Sequence, residues 1–503
     1  MADSAVRIVR GASFLVFDTS FSALIGLVAF AFVSRLITRT EMGVMAVLLM
    51  VSSTCQLLST LGLPSASTRY IAEFMVRGDS KTASAIASQT LSVNFIVASA
   101  LATLCFGFSG ILSSFLLGTA HYGLLFQALT FNIIFASLLP GLTGVLLGLK
   151  KLRELAVFGV ASFSLQQALV IVLLASNIGL LGVVVGWGVA NMFNCIVFLW
   201  SIVRSLNLSM ADRFGLRKLL VYSWPLYPVA FVSLLDNWFD RVLLLGYSLS
   251  ELGVYNVAFK AFGYLYAIPI AISDAFFPHF SELKSREGFE KLSATFTSTS
   301  RYLAIFATPL ALGLASLAEP VVSIFAGRGY VSSGQPLMIL CVAAAVSVFG
   351  LMLGKILLVL DETRTYSLIV LSTVIAGLAL GKLLVPLLGP VGAAVARSAS
   401  MLLAVTFMQV ATSRKIRIRM DREALWKSWV AGIVMSAVLI MAQHISKSAL
   451  LMPFYVAVGG LVYILMLRAT NAIVERDLEF LRRFLGLRIG TPISSLLRAV
   501  LIP

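Results

Sequence analysis

Asp236, Asp240 and Arg241 lie inside one apolar stretch of the chain, 219–246, Lys260 inside the next, 252–278, and Arg397 inside a third, 389–412. Ionisable side chains in such surroundings are costly, and they persist where they hold one another, an ion or a polar ligand. At about 1.5 Å per helical residue, with a turn near residue 249, Asp240, Arg241 and Lys260 fall at the same depth, near the middle of their stretches. Asp236 lies one turn deeper on the Asp240 face, and Arg397, about nine residues into its stretch, is also near mid-depth. Cations at that depth suit an anionic headgroup, because charge-assisted hydrogen bonds from Arg or Lys replace the hydration a phosphate gives up on leaving water. The expectation is that Arg241, Lys260 and Arg397 converge on a phosphate. An Asp240–Lys260 ion pair that only neutralises two buried charges is the competing reading, and it leaves Asp236 and Arg241 to be explained. Asp18, isolated in the first apolar stretch, reads equally as a cavity group or as the partner of a neighbouring helix.

Other polar positions are weaker candidates. Arg69, Asp274 and Arg301 approach the ends of their stretches and read as a gate or as headgroup-level charges, while Lys355 and Lys382 can reach the interface along their own stems. Gln56, Gln89, Asn94, Gln127, Asn132, Gln166, Gln167, Asn191 and Asn194 place amides in the first half of the chain. They read as interhelical hydrogen-bond partners. Cys55, Cys105, Cys195 and Cys341 lack metal-like spacing, and His121, His279 and His444 are scattered. No phosphate loop or nucleophile elbow occurs, so neither an enzyme nor a cofactor is expected.

The elements that must position these residues follow from composition. The chain has 503 residues, 59% hydrophobic and 12% charged, with mean hydropathy +0.98, against about 25% charged in a soluble protein. Apolar runs at 11–34, 43–63, 83–107, 122–148, 153–175, 178–203, 219–246, 252–278, 293–316, 333–359, 365–386, 389–412, 426–444 and 449–467 predict an all-α integral membrane protein with about fourteen transmembrane helices. The first run is too long for a signal peptide and is expected to stay. Fourteen spans with the N-terminus inside collect Arg7, Arg10, Arg69, Arg77, Lys81, Lys150, Lys151, Arg153, Arg204, Arg213, Arg217, Lys218 and the basic 414–427 run on one side. The positive-inside rule then puts both termini in the cytoplasm of a cell membrane. The net charge of +16 serves topology and anionic headgroups, and nucleic acid is not expected as a partner. Val474, Leu478, Leu481 and Leu485, flanked by Arg476, Arg482, Arg483 and Arg488, read as an amphipathic tail helix on the membrane surface.

The chain repeats itself. EMGVMAV at 41–47 returns as ELGVYNV at 251–257, GVLLGLKKLREL at 144–155 as GKILLVLDETRT at 354–365, and GLLGVVVGWGVA at 179–190 as GPVGAAVARSAS at 389–400, each 210 positions on. ILSSFLLG (111–118) and PVVSIFAG (320–327) match at 209. Six helices per copy is an even number, so the two copies run parallel, related by an axis along the membrane normal. The division expected is an N-lobe at 1–208, a C-lobe at 209–415, and a helix pair with tail at 416–503. Arg397 corresponds to Trp187 in the first copy, so the duplicated unit does not itself require a charge there.

The helix count, VSRLITRTEMGVMAVLLMV (33–51), the joint at 146–151 and GLLGVVVGWG (179–188) resemble the polysaccharide-transport, Wzx-like flippase branch of the multidrug/oligosaccharidyl-lipid/polysaccharide exporter superfamily. That resemblance implies two six-helix lobes in a V around a central polar cavity. It also implies a lipid-linked saccharide whose headgroup crosses by alternating access while its tail stays among membrane lipids, in a protein expected to act as a monomer. A cation-coupled multidrug or metabolite exporter of the same superfamily, with Na+ or H+ at Asp18, Asp236 and Asp240, is the first alternative, and the last two spans count against it. A membrane glycosyltransferase or polymerase is the second, and the short outer joint near 317–332 counts against that.

Overall fold

A computed structural model describes residues 21–206, 214–225, 227–418, 420–445 and 451–472. Every regular element among them is helical. Asp18, the first part of the predicted opening span and the predicted tail helix lie outside the described residues. Among the described residues eleven helices are long and apolar enough to cross a membrane, thirteen if two bent pairs each count as one span, and a shorter apolar helix covers Phe21–Leu36. Each of the fourteen predicted runs therefore overlaps a helix or a bent helix pair. Contacts divide the chain into two units, Met1–Asn256 and Val257–Pro503.

The first unit contains α1 (Phe21–Leu36), α2 (Arg39–Thr60), α3 (Leu63–Val76), α4 (Ser80–Gly107), α5 (Ser109–Leu117), α6 (Gly123–Gly148), α7 (Leu152–Ala175), α8 (Leu180–Ser205), α9 (Leu216–Ser223) and α10 (Tyr227–Leu245). It also contains the first two turns of α11 (Leu249–Arg286). Its core gathers Leu63, Ile71, Ile86, Val145, Leu146 and Ile202, all fully buried. The second unit continues α11 and adds α12 (Gly288–Ser316), α13 (Ala318–Ala326), α14 (Gly334–Val359), α15 (Thr363–Leu388), α16 (Pro390–Ser413), α17 (Arg422–Ile445) and α18 (Met452–Ala469). Phe280, Phe296, Met352, Leu353 and Ile356 form its core.

The sequence repeat is a repeat of elements. α5 and α13 match end for end at an offset of 209, so both copies carry a short apolar helix after the third span, and in the second copy it is bent by 77° from α12. α2 begins at Arg39 and α3 ends at Val76, while α11 runs from Leu249 to Arg286, 210 further on at both ends. One copy is broken where the other is continuous. The break falls at Leu61 and Gly62, with φ of 47° and 74°, followed by Pro64 at the start of α3. A left-handed pair cannot continue a right-handed helix, and glycine is the residue that adopts it without strain. A Cβ at Gly62 would also come within 3.1 Å of Ser223 at the end of α9.

The motif that returns at 251–257 has a local and a tertiary explanation. Glu41 completes a capping box: its carboxylate accepts the Thr38 N–H at 2.8 Å, while the Thr38 hydroxyl accepts the Glu41 N–H at 3.3 Å. Ser248 and Glu251 repeat that spacing at the start of α11. The two glycines meet. A Cβ on Gly43 would collide with the Leu249 carbonyl oxygen, and a Cβ on Gly253 with the Arg39 carbonyl oxygen. Residues 39 and 249, like 43 and 253, are repeat equivalents, so α2 and α11 cross here through a reciprocal pair of contacts with backbone against backbone. Gly43→Ala and Gly253→Ala should therefore each lower the melting temperature of the detergent-solubilised protein by a similar amount, the overpacking costing about 1–3 kcal/mol. Gly110→Ala, in α5 with open space around it, should not lower it, and equal melting of all three variants would contradict the crossing.

Candidate functional site

α10 carries three of the predicted residues. Asp236 is half-buried, Asp240 is fully buried at 0% exposure, and Arg241 is buried at 4%. The Asp240 carboxylate accepts the Arg241 backbone N–H at 2.8 Å and lies 3.5 Å from Arg241 Nε. Its second oxygen accepts the hydroxyl of Tyr255 at 2.7 Å, from a fully buried ring in the second turn of α11. The Arg241 guanidinium folds back one turn, donating to the Asn237 carbonyl and, at 3.3 Å, to its side-chain oxygen, and lies 4.0 Å from the Trp238 ring centroid. The result is a neutral, desolvated pair locked by a phenol and stacked on an indole. Replacing such a pair by apolar residues is often neutral or stabilising, so its presence points to a use other than stability.

In the second unit Arg397 is 9% exposed on α16, with its guanidinium 5.6 Å from the Phe259 ring centroid. Phe259 begins a ring series along α11, 6.1 Å from Phe262, which stacks 5.0 Å from Tyr266; the Tyr266 hydroxyl is 3.2 Å from the Ser347 hydroxyl on α14. Lys260, half-buried, is the next residue on that helix. Arg241 thus belongs to the first unit, and Lys260 and Arg397 to the second.

The candidate gate residues each have a partner. Asp274 pairs with Lys355 of α14 at 2.5 Å, and the Lys355 ammonium is 5.6 Å from the Phe277 ring centroid. Asp274 is well inside α11, which continues to Arg286, beyond the end of the expected run at 278. Arg301 donates to Asp421, just before α17, at 3.0 Å and to the Ala472 carbonyl, just after α18, at 2.6 Å. Burial opposes ionisation of Asp421, but the Ala424 N–H and the Arg301 guanidinium outweigh it and hold the carboxyl below its usual range. Arg69 is exposed, 4.7 Å from the Tyr222 ring centroid.

Several first-half amides are interhelical ties. Asn132 donates to Ser52 at 2.9 Å and accepts from Asn191 at 2.8 Å, and Gln56 donates to the Ala136 carbonyl at 2.8 Å. These bonds join α2, α6 and α8. At the 210 offset Ser52 and Gln56 correspond to Phe262 and Tyr266, so where one copy has a polar network the other has a ring stack.

Tyr255, Trp238 and Asn237 were not singled out from the sequence. The signal for Tyr255 was present in the repeat: EMGVMAV has Met45 where ELGVYNV has Tyr255. Asp240, Arg241, Lys260 and Arg397 likewise stand opposite Phe30, Ala31, Met50 and Trp187. Positions where two copies of one unit exchange an apolar for a polar residue mark what the second copy acquired for itself.

The comparisons with known proteins bear on this geometry. The family model described as "Polysaccharide biosynthesis protein" matches residues 32–335. A probable flippase, AglR, of Haloferax volcanii is 25% identical over 300 residues, 56% of this chain; the chain spans 61% of that relative's length. Among solved structures, the lipid II flippase MurJ in an inward closed conformation superposes with a TM-score of 0.75 at 15% identity, covering 93% of this chain and 99% of that one. An inward-facing multidrug resistance MATE family transporter of the MOP superfamily gives 0.63 at 14% identity, with 78% and 94% covered. At these identities the structural likeness shows the fold alone. The family model covers more than half of the sequence, and the chain belongs to the polysaccharide biosynthesis protein family.

Proposed function

We propose that this multi-pass membrane protein is a flippase that moves a polyprenyl-(pyro)phosphate-linked oligosaccharide from the cytoplasmic to the outer leaflet by alternating access. Residues 1–208 and 209–415 are the two lobes in this reading, 416–503 the accessory pair and tail, and both termini are cytoplasmic. The observation that carries it is a pair of buried arginines on membrane helices, Arg241 at 4% and Arg397 at 9% exposure, each lying on an aromatic ring. A ring fixes a guanidinium in place without adding a counter-charge, and the planar guanidinium matches a phosphate. Arg241, Lys260 and Arg397 receive the phosphate or diphosphate, Asp236 and Asp240 set the charge balance around it, and the lipid tail stays in the bilayer.

The direct test is reconstitution in liposomes with fluorescent lipid-linked saccharides, scored by transfer between leaflets. Arg397→Ala should reduce transfer roughly tenfold or more, since a lost hydrogen bond to a charged group costs about 1.5–3 kcal/mol. Arg397→Lys should keep part of the activity, as a point charge without the planar guanidinium. Wild-type transfer by Arg397→Ala would remove that residue from the site. Tyr255→Phe leaves a buried carboxylate short of one donor, so it should lower thermal stability by about 1–3 kcal/mol, read as the melting temperature of the detergent-solubilised protein. The chain has no nucleotide-binding motif, so ATP added to proteoliposomes of the purified protein should leave the rate unchanged, and clear stimulation would count against the reading.

A further inference from the structure

Arg69, Arg77 and Lys218 of the first unit each lie on an aromatic ring at the end of the helices where basic residues collect. Tyr70, Phe74 and Arg77 share one face of α3 at helical spacing, and Phe214, Lys218 and Tyr222 share one line leading into and along α9. The rings interlock, Tyr70 at 5.3 Å from Phe214 and 5.7 Å from Tyr222, and Phe74 at 5.4 Å from Phe214. Arg69 lies 4.7 Å from the Tyr222 centroid, Lys218 5.5 Å from that of Phe214, and Arg77 5.5 Å from that of Phe74. A ring attracts a cation through its quadrupole but carries no net charge. Stacking therefore fixes these side chains without neutralising them.

The carboxylates decide which of the three remain charged sites. Arg77 pairs with Glu73 at 2.6 Å. Asp79 is occupied by the N–H and hydroxyl of Thr82, and Glu154 by Lys151. Arg69 and Lys218, both exposed, have no carboxylate at ion-pair distance among the described residues. In the second unit Lys284, Arg286, Lys291, Lys355 and Lys415 each hold a carboxylate. The same two short helices also expose apolar side chains beside the open cations. Val76, 77% exposed, follows Arg69 by two turns on α3, and Val221 (65%) and Trp224 (74%) follow Lys218 on α9. Exposed tryptophan and valine beside cations at a helix end match a surface seated at headgroup level.

We infer that Arg69 and Lys218 form a docking site for the phosphate of an anionic bilayer lipid, whose acyl chains lie against Val76, Val221 and Trp224. The cations supply charge-assisted donors for a phosphodiester, and the apolar flank distinguishes a lipid from a free anion. The site is independent of Asp240, Arg241 and Arg397 and does not rest on the transport reading.

The test is the melting temperature of the purified full-length protein in neutral detergent with added phosphatidylglycerol, phosphatidylcholine or inorganic phosphate. Phosphatidylglycerol should raise it by about 2–4 °C over phosphatidylcholine in the wild type. In the double variant Arg69→Gln with Lys218→Gln that gain should disappear, and in Arg286→Gln with Lys291→Gln it should persist. An equal gain in all three proteins, or the same gain from inorganic phosphate alone, would overturn the proposal. Should the double variant not fold, photoreactive phosphatidylglycerol on the wild type decides: cross-links concentrated in 63–77 and 214–224 support the site, and cross-links spread over all basic segments refute it.

Discussion

Hydrocarbon offers no hydrogen-bond partner, so each backbone N–H and C=O of a spanning segment must be satisfied within its own helix. In this chain that constraint fixes the helices first and leaves side chains to settle everything else. Interhelical contact then comes from close backbone approach, as at Gly43 and Gly253, from amide ties such as Asn132 with Ser52 and Asn191, and from ring contacts such as Tyr264 of α11 with Phe325 of α13. Charges enter such a lattice only with compensation. Asp240 shows the full form, with an arginine on one oxygen and a phenol on the other.

Duplication supplies the second layer of organisation. Both copies keep the capping spacing and the glycine at the start of their second helix, because the two glycines are each other's contact. Away from that crossing they diverge in kind. The first copy joins its helices through amides such as Gln56 and Asn132, where the second has Tyr266 and Val342, and the second carries charges where the first has Phe30, Ala31, Met50 and Trp187. A site built in one copy only is polarised, with its ionic chemistry on one lineage of helices and its neutral hydrogen bonding on the other.

The spans were legible because hydropathy alone specifies them, and the repeat because its landmarks keep one offset. What escaped had no apolar length to announce it. α3 is a helix in a polar joint, α9 is split off from α10 within one expected run, and α11 runs on through His279, Glu282 and Lys284, polar residues that read as a loop while the helix does not end. Lys355 reads as a residue that reaches the interface alone, yet a carboxylate from another helix meets it. Burial of Asp240 and Arg241 could be foreseen, but the roles of Tyr255 and Trp238 could not, since a tyrosine or tryptophan in an apolar run is compositionally ordinary. Only comparison with Met45 in the other copy makes Tyr255 conspicuous.

The broken α2–α3 pair and the unbroken α11 behave differently as mechanical parts. A helix of 38 residues is about 57 Å long at 1.5 Å per residue, nearly twice the hydrocarbon thickness of about 30 Å. Treated as a lever, it turns a tilt of about 10° at the Tyr255 end into a displacement of about 10 Å at the far end. Pro269 and Pro278 each delete one backbone donor within it, so it can flex at two elastic joints without a change of hand. The first copy has instead a rigid elbow, set by the left-handed pair Leu61 and Gly62 and seated against Ser223. Equal loads on the two equivalents would therefore yield a bow in one and a pivot in the other.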